Sequence, residues 1–164
     1  MKTILIILCT ACCALGRDET AVAAAEAACG PRDAMFEVRA DVAQHPTPPP
    51  ESGKALIYVA QRDGISSKFG IDGKWVGANK GKTYFFVSID PGEHHLCAIG
   101  HIGAGPGNWV ALHHLRAAAG ATYCYVPQIS GSESWGLKFD LSQVDTDQGK
   151  YLVARAKFST SRSK

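Results

Sequence analysis

Six histidines are the side chains of this sequence best suited to chemistry: His45, His94, His95, His101, His113 and His114. Four of them form two adjacent pairs. Successive side chains of a β-strand point to opposite faces, so each pair can offer only one imidazole to a given site. A metal ion would therefore need His94 or His95 to meet His113 or His114 across strands. No Cys/His group has the fixed spacing of a zinc site, and solvated or hydrogen-bonded strand histidines are expected, with no metal and no cofactor.

Three tryptophans offer a different chemistry. An exposed indole stacks on sugars or anchors a partner, and Asn108 beside Trp109 would add a polar contact, so Trp75, Trp109 and Asn108 are the candidate ligand contacts. Core packing is the competing role for each indole, Trp135 included. The stretch Gly103-Ala-Gly-Pro-Gly107-Asn108 lacks the third glycine of a dinucleotide fingerprint and follows no parallel-sheet unit. Gly131-Ser-Glu-Ser-Trp-Gly136 places no serine in a nucleophile-elbow frame. No catalytic residue is assigned, and the chain is expected not to be an enzyme.

These residues sit in a chain of 164 with a formal charge of +2. The charge is dispersed apart from the Ser/Arg/Lys tail, which leaves no footprint for nucleic acid or an anionic membrane surface. Met1-Lys2 and the apolar run Thr3 to Leu15 read as a secretory signal over residues 1–16, cut before Arg17, and the run is too short to span a bilayer. Acylation of Cys12 is the alternative, with a lipid anchor as its result. Either route exports the chain to the periplasm or beyond, where disulfides form. Cys29, Cys97 and Cys124 follow the signal, so one bridge is expected and one thiol is left over.

Residues 17–53 read as an Ala-rich spacer and a proline-rich arm, in which Met35-Phe-Glu-Val-Arg39 would place Phe36 and Val38 on one side of an edge strand. A β-domain is expected over 54–158. Gly81-Lys-Thr-Tyr84 and Gly120-Ala-Thr-Tyr123 repeat one turn-to-strand pattern, and Asp72-Gly73 and Asp90-Pro-Gly92 mark tight turns. The expected strands are 55–60, 67–71, 74–78, 83–89, 93–99, 109–118, 122–129 and 135–144, the last with Leu137, Phe139 and Leu141 on one face. The strand 83–89 is apolar on both sides, so it is either central and covered or part of an interface. Asp145 and Gln148 start a short helix near 146–156 despite Gly149, and 159–164 reads as a polar tail. The expected fold is an all-β, immunoglobulin-like antiparallel β-sandwich with a short C-terminal helix.

Leu115, Gly120 and Tyr123 resemble the corner at which such sandwiches turn from one sheet to the other. Cys124 lies one residue after that tyrosine and must point away from the core between the sheets. With His45-Pro-Thr-Pro48, Gly53-Lys-Ala-Leu-Ile-Tyr-Val59, Asp72-Gly-Lys-Trp-Val-Gly77, Asp90-Pro-Gly-Glu-His-His-Leu-Cys97 and Ala119-Gly-Ala-Thr-Tyr123, residues 45 to 155 resemble a bacterial exported family catalogued as domain of unknown function 2846. That resemblance implies a small envelope β-sandwich without an assigned activity. One cysteine before the proline arm and one after the His pair suggest a Cys29–Cys97 bridge, with Cys124 as the competing partner. The function expected is that of an exported, non-catalytic envelope module that is structural or binds another envelope protein. Binding of a small ligand or glycan through exposed Trp and the Gly-rich loop is the alternative.

Overall fold

Short β-branched and aromatic runs separated by turn residues every ten positions or so leave a chain little choice but sheets. The computed structural model describes residues 18–27, 29–31, 33–62, 64–101, 109–132 and 136–163. Among them, α1 (Glu19–Glu26) and β1 (Phe36–Asp41) precede β2 (Ala55–Ala60), β3 (Ser66–Ile71), β4 (Lys74–Lys80), β5 (Thr83–Ile89) and β6 (Gly92–His101). Then come β7 (Trp109–Ala117), β8 (Thr122–Ser132), β9 (Gly136–Val144), α2 (Thr146–Arg155) and β10 (Lys157–Ser163). The expected signal segment, Asn108 and Trp135 lie outside the described residues.

The strands form two facing sheets. One has the order β1-β10-β5-β2-β8-β9 and the other β4-β3-β6-β7. The expected antiparallel arrangement holds for most neighbours, but β2 and β8 run parallel, as do β5 and β10, so the larger sheet is mixed. Ile57, Val59 and Tyr125 of the larger sheet meet Phe69, Leu96, Ala98 and Leu115 of the smaller in the main core. Complete burial of side chains of this size contributes roughly 1.5–3 kcal/mol each.

The larger sheet is covered on its outer face too. Leu56, Tyr58, Tyr84 and Cys124 form a second cluster with Val153 of α2, so β2 and β5 are buried on both faces. Cys124 thus points away from the main core, while Tyr125 points into it. The proline arm completes this cover: Tyr84 donates to the carbonyl of Pro46 and Tyr58 to that of Pro48, each at 2.9 Å. A chain rich in proline keeps its carbonyls free of ladder partners, and here two of them receive the hydroxyls of otherwise buried rings.

Two sequence boundaries shift. The arm lies on the sheet instead of leading up to it, and the expected edge strand with Phe36 and Val38 is present as β1, so the sheet starts before the arm. The expected polar tail belongs to strand β10, paired with β1 from Phe158 to Ser163. Its polarity concealed it, because Ser159 donates to the Ala78 carbonyl at 2.8 Å and the Ala78 N–H donates to Ser161 Oγ at 3.2 Å. The serines of β10 thereby satisfy part of the edge of β4 in the opposite sheet. Phe139 and Leu141 are buried, and Leu137, near the start of the same strand and two residues before Phe139, is 43% exposed.

Between β7 and β8 the chain crosses from the smaller sheet to the larger. Tyr123 Oη accepts from the Ala118 N–H at 3.0 Å and donates to the Arg116 carbonyl at 3.3 Å. Gly120 takes φ +76°, a left-handed angle that suits glycine.

Candidate functional site

The arm, α2, Tyr58 of β2, the start of β8 and the end of β9 enclose a groove of about 800 Å³. Its position follows from that cover, since arm and helix lie on one face of the larger sheet. Tyr58, Cys124, Val144 and Val153 supply apolar surface, and Thr122, Thr146 and Lys150 supply polar groups. Asp145 also lines it, but its carboxylate caps α2 by accepting from the Gln148 N–H at 2.8 Å. That cap fixes the helix and hence one wall.

Burial pushes the Cys124 thiol up to about 12. It stays neutral at physiological pH and is a poor nucleophile. Burial, and to a smaller extent the charge of Cys124, also raises Tyr58. Both groups therefore present neutral surface, and the groove can hold a molecule by shape and hydrogen bonding.

A second concavity of about 570 Å³ lies on the outer face of the smaller sheet, with α1 as one wall. Asp72, His95, Leu96, Leu112, His113 and His114 line it with Ala24, Ala25 and Ala27 of the helix segment. The segment is tethered by a disulfide between Cys29 and Cys97, as the resemblance suggested, and Cys124 is a free thiol.

The two histidine pairs divide their labour as strand alternation demands. Both ring nitrogens of His94 are engaged, Nδ1 with Asp72 Oδ2 at 2.7 Å and Nε2 with the Asp90 carbonyl at 2.8 Å. Burial pulls the His94 pKa down, but the Asp72 hydrogen bond, the Asp90 carbonyl and the two carboxylate charges outweigh it and raise it. Burial likewise favours neutral Asp72, yet the His95 N–H, the His94 hydrogen bond and the histidine charges hold its carboxyl below the usual range. Asp72 sits at φ +50° in the tight turn, which places its side chain against β6. His113 packs on the Tyr125 ring, with centroids 5.0 Å apart. His95 and His114 face outward, directly opposite one another in the β6–β7 ladder.

Trp75 and Trp109 do not come together. Trp75 is half-buried over the disulfide cluster, its indole N–H donates to the Pro31 carbonyl at 2.7 Å, and Lys68 Nζ lies 4.5 Å from its ring centroid. Burial lowers the Lys68 pKa, with Asp33 acting in the opposite sense. Trp109 packs against the main core at the opposite edge of the same sheet, across from Gly100. The two indoles thus serve separate packing roles. Sequence reasoning missed the groove because its walls come from residues 45–48, 122–124 and 143–154, segments that no local pattern relates.

No protein-family model, curated protein or solved structure matches the chain.

Proposed function

We propose that the protein is an exported, non-catalytic binding module of the cell envelope, and that it holds a small amphiphilic molecule in the groove between the proline arm and α2. The observation that carries this reading is the groove itself. Its volume falls within the range typical of ligand sites, its floor is apolar and neutral, and Thr122, Thr146 and Lys150 supply polar groups along its walls. The neutral Cys124 thiol favours binding over covalent chemistry. Export rests on the N-terminal sequence, and membership of the domain of unknown function 2846 family rests on the motifs that resemble it. The immunoglobulin-like character of the sandwich belongs to the same reading, and the Tyr123 corner supports it.

The test is a titration with 1-anilinonaphthalene-8-sulfonate, an anionic amphiphile, followed by its fluorescence. Saturable binding is expected, and Ala154→Trp, which projects bulk into the groove from an exposed position, should abolish it while cooperative thermal unfolding is retained. Equal binding by the folded variant would remove the groove from consideration.

A specific observation favours a second reading, interaction with another envelope protein. β1 has β10 as its one ladder neighbour among the described residues, and Met35 and Val42 are 66% and 80% exposed at its two ends. An unpaired edge with apolar flanks is a template for strand addition. A photo-crosslinking residue at Arg39 that captures one defined partner, with none captured from Tyr151, would move the function to that edge.

A further inference from the structure

We propose that His95 and His114, with Glu93 as a third donor, form a binding site for a divalent transition-metal ion that opens into the cleft beneath α1. The site is independent of the groove and lies on the opposite side of the sandwich. His95 and His114 are direct cross-strand partners on the outward face, and their ring centroids are 5.3 Å apart at an interplanar angle of 56°. An imidazole nitrogen bonds such an ion at about 2.0–2.1 Å, which places each ring centroid about 3.2 Å from the metal and, at a tetrahedral angle, two centroids about 5 Å apart. The pair already has the spacing that one shared ion requires.

Glu93 lies two residues before His95 and so on the same face. Its Oε2 stands 3.8 Å from His114 Nε2, close to the separation of about 3.4 Å expected for two donors of one tetrahedral ion. Arg116 Nε, 3.9 Å from Glu93 Oε1, engages the other oxygen and leaves Oε2 toward the histidine. Among the described residues no three ligands are already gathered around one point, so the carboxylate closes on the ion as it binds. The remaining coordination positions face the cleft of about 570 Å³ walled by Ala24, Ala25 and Ala27. Imidazole with carboxylate suits Cu²⁺ and Zn²⁺, with Cu²⁺ the tighter of the two. His94 and His113 are excluded as ligands by their engagement with Asp72 and Asp90 and by packing on Tyr125.

The test uses the full chain without an affinity tag, titrated with CuCl₂ while the histidine side-chain resonances are followed by NMR. Signals of His95 and His114 should broaden at lower ion concentration than those of His45 and His101, and ZnCl₂ should shift the same pair. His95→Ala and His114→Ala should each weaken Cu²⁺ binding by about tenfold or more, and Glu93→Gln by a smaller factor. His101→Ala should leave it unchanged. These side chains are exposed, so the variants are expected to fold. Uniform broadening of all histidines, or wild-type affinity in both alanine variants, would overturn the site.

Discussion

A Cβ built on Gly149 of α2 would stand 2.8 Å from the Cβ of Cys124 in β8, so the helix rests on the sheet through a glycine. Alanine at 149 would gain about 1 kcal/mol of helix propensity, and overpacking against a rigid strand costs about 1–3 kcal/mol. Gly149→Ala is therefore expected to destabilise the fold by about 1 kcal/mol in urea unfolding. Combined with Cys124→Gly, which removes the opposing Cβ, the same change should become neutral or favourable. Additivity of the two substitutions would show that helix and strand do not touch there.

The disulfide closes a separation of 68 residues and holds the segment before β1 against Trp75. Loop-closure entropy for a bridge of this span gives an upper figure of about 4 kcal/mol, and measured losses run at about 2–5 kcal/mol. The double variant Cys29→Ser with Cys97→Ser should lose about 2–4 kcal/mol, and its tryptophan emission should move to the red as Pro31 releases the indole. An unchanged melting temperature would mean that the tether adds nothing to the folded domain.

Alkaline pH should weaken the protein. Burial raises Cys124 from 9.0 to about 12 and Tyr84 from 10.0 to about 12, the latter with a smaller contribution from Tyr58. Burial, with Tyr123 adding to it, raises Tyr125 from 10.0 to about 12 as well. Between the unfolded and folded values the native state holds protons that the unfolded chain has released, so stability is intact below pH 9 and falls as pH rises from 9 toward 12. Each fully shifted group contributes at most about 1.4 kcal/mol per pH unit. Cys124→Ala should flatten the first part of that decline, between pH 9 and 10, in chemical unfolding measured across the range. A slope identical to that of the natural chain would mean the thiol is not shielded.

Tyr123→Phe removes a hydroxyl that serves both the Ala118 N–H and the Arg116 carbonyl. Two hydrogen bonds of ordinary net strength are lost, and a cost of about 1–2 kcal/mol is expected. Amide exchange at Ala118 should quicken more than at β3 on the far side of the sheet. Equal protection at Ala118 in the variant would place the corner's stability elsewhere.

Much of the β-structure was legible in the sequence because its signals are local. β2 and β5 match the expected bounds residue for residue, Asp72-Gly73 makes its hairpin, and Asp145 caps α2 as the spacing to Gln148 implied. Cys124 pointing away from the main core follows from a period of two and one neighbouring tyrosine. These are consequences of turn chemistry and side-chain alternation, which act within a few residues.

Tertiary structure alone decided the rest. β10 is a strand because β1 and β5 flank it and its serines reach Ala78, a relationship across more than eighty residues that leaves no apolar trace. The groove exists because Tyr58 and Tyr84 draw the arm onto one side of a sheet face while α2 covers the other. The histidine pairs were visible in the sequence as residue types, but their partners were not. Register set His95 opposite His114, and the turn at Asp72 claimed His94, because pairing across strands is fixed by the packing of whole sheets and not by the residues beside them.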